Sequence, residues 1–244
     1  PDSPETCSVT IDEAVISTDA YASAYILTMD SSGVPNDIQM FNSNGGDRVD
    51  SIVFAQNGDM LVAGSACWLQ DSSCTLTGFG ISLPAVDEGG DAWIARLGPG
   101  GEALWSLMIG SKGFDSIHSV AESPDGSIYI TGTFCQGVSL LCKIPIGDQL
   151  HQSEGGADVM IAKLSPDGDV LWSKSFGSGS TDTDMWNSWY SLSQKGLVAT
   201  PDGGVLISGW ACESWNANCQ MTIETGYVVY NHNPYILKYA SNGT

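Results

Sequence analysis

The chain has 244 residues, 42% of them apolar, enough to bury a substantial core in one domain. Eight Lys and Arg against 28 Asp and Glu leave a formal charge of -20, which repels nucleic-acid phosphates and anionic lipid, so no nucleic-acid partner is expected. No apolar run approaches eighteen residues, so membrane insertion is not expected, and 29 Gly and ten Pro among short β-branched runs predict an all-β fold.

The opening decapeptide PDSPETCSVT is polar, with neither the basic nor the apolar region of an export signal. Residues 1–23 read as the tail of a partial repeat. The segment Ala24 to Cys67 then aligns without a gap on Ala92 to Cys135 at an offset of 68, with Gly33 on Gly101, Asp47 on Asp115 and Gly64 on Gly132. A third copy, DVMIAKLSPDGDVLWSKSFGS from Asp158, matches DAWIARLGPGGEALWSLMIGS at an offset of 67 and puts Trp172 under Trp105. After ten inserted residues the pattern resumes in TPDGGVLISGWAC, from Thr200, and a fourth copy starts at PYILKYASNGT. The resulting units are 24–91, 92–157 and 158–233, with partial units at 1–23 and 234–244.

Turn signals separate the apolar runs of every copy: SSG at Ser31, NGD at Asn57, PGG at Pro99, PDGS at Pro124, PDGD at Pro166 and PDGG at Pro201. This spacing predicts about four strands per repeat. Inner strands are expected at Val49 to Ala55, Ile117 to Ser123 and Leu192 to Thr200, followed by strands at Met60 to Ser65, Ile128 to Thr133 and Val205 to Gly209. Four antiparallel strands per repeat make one β-propeller blade, because a lone four-stranded sheet leaves both faces bare until its neighbours pack on it.

The strings GGDAWIARLGPGGEALWS, G-S-x-G-x-D and SPDGSIYITGTF resemble the bacterial seven-bladed β-propeller repeat family of surface and secreted proteins, and the third copy is similar. The resemblance covers nearly the whole chain. It implies the scaffold and an extracellular or cell-surface location, and it brings no shared catalytic residues. Paired cysteines and the ten-residue insertion depart from the family pattern and point to a specialised subgroup.

Cys67 and Cys74, Cys135 and Cys142, and Cys212 and Cys219 form three C-x6-C pairs at one place in the repeat. The spacing suits a short loop disulfide, which stabilises by about 2.5 kcal/mol in the chain-entropy account and implies an oxidising compartment, extracellular, cell-surface or periplasmic. Zinc is the rival, but no His or second close Cys pair lies beside them. Cys7 reads as the second member of a fourth pair whose partner falls before Pro1. The chain is therefore expected to be cut from a longer polypeptide, or to bridge to another molecule, and its three and a half repeats need further sequence or neighbouring subunits to close or extend them.

The insertion STDTDMWNSWYS, from Ser180, gathers Trp186, Trp189 and Tyr190 with Asp182, Asp184 and Asn187. Rings beside acids and amides suit carbohydrate or peptide, although the rings could equally plug a gap between blades. The three oxygen-bearing side chains suggest Ca2+, but the D-x-D-x-D-G pattern is incomplete, so no cofactor is expected. Trp105 and Trp172 read as packing residues, and His118, His151 and His232 as ordinary polar residues. No G-x-S-x-G, H-E-x-x-H or phosphate-binding loop is present. The expectation is a non-catalytic extracellular module for binding glycan or protein, or for self-association. The alternative is a secreted polysaccharide hydrolase or lyase using paired carboxylates.

Overall fold

The computed structural model describes residues 7–11, 14–18, 22–68, 73–138, 142–179, 196–211, 220–223, 228–230 and 233–244. Its regular structure is entirely strand, in the order β1 (Cys7–Ile11), β2 (Ala14–Thr18), β3 (Ala24–Met29), β4 (Pro35–Phe41), β5 (Gly46–Phe54), β6 (Met60–Trp68), β7 (Thr75–Gly78), β8 (Ile81–Pro84), β9 (Asp91–Leu97), β10 (Ala103–Ile109) and β11 (Phe114–Glu122). There follow β12 (Ile128–Gln136), β13 (Lys143–Ile146), β14 (Gln149–Gln152), β15 (Asp158–Leu164), β16 (Val170–Ser178), β17 (Leu197–Ala199), β18 (Val205–Ala211), β19 (Gln220–Thr222), β20 (Val228–Tyr230) and β21 (Asn233–Tyr239).

These strands build successive antiparallel meanders: β3-β4, β5-β6-β9-β10, β11-β12-β15-β16 and β17-β18-β21. The predicted turns join them. At Asn57 the Ala55 N–H donates to the Asp59 carbonyl at 2.8 Å, and the Gly58 N–H returns to the Ala55 carbonyl at 2.9 Å with Gly58 at φ +90. Residues 123–127 and 200–204 repeat this pairing. Between the second and third strands of each meander the chain makes a short hairpin: β7-β8, β13-β14 and β19-β20. Each repeat therefore holds six strands where about four are expected from the sequence, because the two four-residue hairpin strands lie beyond the cysteine loop and carry little apolar pattern of their own.

The meanders stack face to face. Strands β9 and β15 are buried along all seven residues, which explains why DAWIARL and DVMIAKL are so apolar. Their side chains alternate between two cores. Ala92 and Ile94 join Ile117, Ile128 and Ile144 in the core between β5-β6-β9-β10 and β11-β12-β15-β16. Trp93, Ala95 and Leu97 face the other way, onto Phe41 and Leu76. A third core, with Tyr129, Val159, Leu197 and Tyr235, packs β17-β18-β21 on its neighbour. Each fully buried large aliphatic contributes on the order of 1.5–3 kcal/mol. Among the described residues the sheets do not close into a barrel.

The hairpins tie one sheet to the next. Asn42, just after β4, exchanges two 2.9 Å backbone hydrogen bonds with Thr77 of β7. Gly177 and Ser178 of β16 pair with Thr222 and Met221 of β19. In the middle copy Pro145 stands where Thr77 does and lacks the N–H, so β13 lies against β10 without such a bridge. Each hairpin also touches its own sheet, through the Ala103 N–H to the Phe79 carbonyl and the Ser173 hydroxyl to the Ile146 carbonyl.

Candidate functional site

Of the cysteine pairs, Cys67–Cys74 and Cys135–Cys142 are disulfides, with Cα atoms 5.8 and 5.9 Å apart. Cys212 and Cys219 lie outside the described residues, and Cys7 contributes its backbone to the start of β1. Asp182, Asp184, Trp186, Asn187, Trp189 and Tyr190 lie outside them as well, and so does His232.

The S-x-G-x-D string has a structural role in both described copies. The buried Asp115 carboxylate accepts from the Ser111 N–H at 2.6 Å, the Ser111 hydroxyl at 2.8 Å and the Cys135 N–H at 2.8 Å. Asp47 does the same with Ser43 and the Cys67 N–H. The carboxylate thereby fixes the strand entry and the left-handed cysteine, at φ 61 in Cys67 and φ 62 in Cys135, that starts the disulfide loop. Burial raises both carboxyls, that of Asp115 to about 8.

A second buried acid opens β9. Asp91 accepts from the Val86 N–H at 2.5 Å, its Oδ1 has no hydrogen-bond partner among the described residues, and burial raises it to about 6. It faces Gly110, where any side chain would meet the carboxylate. One repeat earlier the polar atoms are exchanged: Ser23 replaces the acid, Asn42 replaces the glycine, and the Ser23 hydroxyl donates to Asn42 Oδ1 at 2.6 Å.

Sheet junctions share a clamp on one carbonyl of the following sheet. Arg96 Nη1 at 3.0 Å and Trp105 Nε1 at 2.9 Å donate to the Pro166 carbonyl, while Arg96 Nε holds the buried Asp59 at 2.6 Å. One repeat later Lys163 Nζ at 3.4 Å and Trp172 Nε1 at 3.1 Å converge on the Ser241 carbonyl. Trp105 and Trp172 thus pack between sheets, as their equal repeat positions suggest.

The described surface carries a groove of about 540 Å³ at the rim, between the tip of β13-β14, the outer strand β16 and the turn at 242–244. Asp148, Gln149, His151, Trp172, Lys174 and Asn242 line it. His151 is held at both nitrogens, Nε2 at 2.8 Å from Ser173 Oγ and Nδ1 at 3.1 Å from Ser175 Oγ. Ser173 Oγ gives its own hydrogen to the Ile146 carbonyl at 3.0 Å, so it accepts from Nε2–H. The two serines fix the orientation of the ring in the groove wall. Lys174 Nζ lies over the Tyr239 ring, 5.8 Å from its centroid. His151, expected to be an ordinary polar residue, is satisfied by Ser173 and Ser175, and its equivalent in the preceding repeat is Leu83.

Among the described residues no three His, Cys, Asp or Glu side chains gather as metal ligands, and no helix is long and apolar enough to cross a membrane. The chain matches no protein-family model and no curated protein sequence.

Proposed function

We propose that the chain belongs to an extracellular or cell-surface β-propeller that binds glycan or protein, or assembles with copies of itself, without catalysing a reaction. The observation that carries this reading is the repeated clamp. The same indole and cation positions hold the same carbonyl position of the following sheet at two successive junctions, so each meander is built to be followed by another. A stack of wedge-like meanders with that property is what a propeller ring needs. Two disulfides support an oxidising location.

Electron microscopy of the purified native protein, combined with its mass in solution, tests the proposal. Ring-shaped particles with a central channel, or ordered assemblies of them, are expected. A monomeric particle without a ring that takes up neither glycan nor protein in a binding screen overturns it.

A further inference from the structure

Two consecutive repeats build their rim hairpins in the same register, so their side-chain differences show what that pairing does not require. Repeat one places Gly80, Ile81, Leu83 and Leu107 where repeat two places Asp148, Gln149, His151 and Lys174. Ile81 is buried, and Leu83 and Leu107 pack against the cores. Trp105 and Ser106 remain as Trp172 and Ser173. For stability alone the apolar lining is the better choice, since a polar group removed from water gains only what its new partners return. Beside two changes toward apolar residues, Gly78 to Ile146 and Ser82 to Leu150, the chain makes four toward hydrogen-bonding side chains, and all four line one groove.

We propose that this groove is a binding site for a neutral oligosaccharide, an inference that rests on reading the chain as a binding module. A sugar presents several hydroxyls within a few ångströms of one another, and the lining answers with a carboxylate that accepts, at Asp148, and an amide that both donates and accepts, at Gln149. Asn242 Oδ1 already accepts from the Thr244 N–H and hydroxyl, which leaves its NH2 as the group to offer. The fixed imidazole of His151, with the exposed Leu150 and Leu171 beside it, supplies flat and apolar surface for sugar C–H faces. Anionic ligands are disfavoured. Asp148 faces the groove, the chain carries -20 overall, and the one cation of the lining lies over Tyr239.

Isothermal titration of the native protein with the tetrasaccharides of β-1,4-glucose, β-1,4-mannose and β-1,4-N-acetylglucosamine tests the site. At least one is expected to bind with a Kd of about 10 μM to 1 mM. The double substitution Asp148→Ala, Gln149→Ala should weaken binding by roughly tenfold or more without shifting the melting temperature, since both side chains are exposed. Ser82→Ala, on the matching hairpin of repeat one, should change nothing. Binding undiminished in the double variant overturns the groove and leaves the module reading in place. Absence of binding with all three sugars also overturns the groove, and the module reading then stands or falls on the particle shape and the wider binding screen.

Discussion

At Asp115 three hydrogen bonds and the loss of solvent pull in opposite directions, and burial prevails, pushing the carboxyl up to about 8. Asp91 follows to about 6, and Asp47 is raised too. Each of these groups binds its proton more tightly in the folded chain than in the unfolded one. Their stabilisation is therefore complete below the ordinary carboxylate value and is lost as pH rises through the folded values. Asp59 works the other way. Its hydrogen bond from Asn57 and then its contact with Arg96 hold it low, so that contribution is lost only in stronger acid. The melting temperature is expected to be highest near pH 4–5 and to fall toward pH 8.5. In Asp91→Asn the fall between about pH 4 and 6 should shrink, by an amount on the order of 1–3 kcal/mol, which urea denaturation across pH reads directly. The chain itself supports the substitution, since Asn233 occupies the Asp91 position at the start of β21. The S-x-G-x-D string is plain in the sequence, but its role is not. The Cys135 N–H it holds lies 20 residues away, and nothing local announces that pairing.

Among the elements, β5-β6 and β11-β12 each carry a register shift, and a glycine of the second strand faces it. A Cβ on Gly132 would collide with the Ser116 carbonyl and approach the Ile117 Cα to 2.9 Å. Gly132→Ala should cost more than about 3 kcal/mol, since backbone and not a flexible side chain must yield. Replacing Cys135 and Cys142 together by Ser should cost about 2–3 kcal/mol by freeing the loop, measurable as a lower melting temperature at unchanged strand content by circular dichroism. The strands themselves were legible in DAWIARL and DVMIAKL, whose seven-residue burial leaves an unbroken apolar signature. The hairpins were not, because β14 is QLHQ, mostly exposed and without alternation.

Across the whole molecule, the period of 68 was legible in the sequence, and the strands expected at Val49 and Ile117 to start each blade are the end strands β5 and β11 of their sheets, but the units drawn from Ala24 cut across sheets. The repeat taken from Ala24 gives its first two strands to one sheet and its next two to the following one, since sheet membership depends on pairing between distant strands. The clamps couple these sheets. Arg96→Met leaves Asp59 buried without its cation and should cost about 3 kcal/mol, and Trp105→Phe about 1 kcal/mol. Because both side chains donate to the Pro166 carbonyl, a double-mutant cycle in urea should show coupling between them, and strict additivity would count against a shared clamp.

The rim hairpins also set how the molecule carries load. β7 is bonded covalently to the end of β6 through Cys67 and Cys74 and by backbone hydrogen bonds to the end of β4, in the sheet before. A pull that parts those two sheets must break the second set of bonds, while the seven-residue separation between the cysteines is locked and yields no slack. At that junction the load is thus taken at the rim before it reaches the apolar interior, whereas at the next, where Pro145 removes the bridge, the packed core takes it directly.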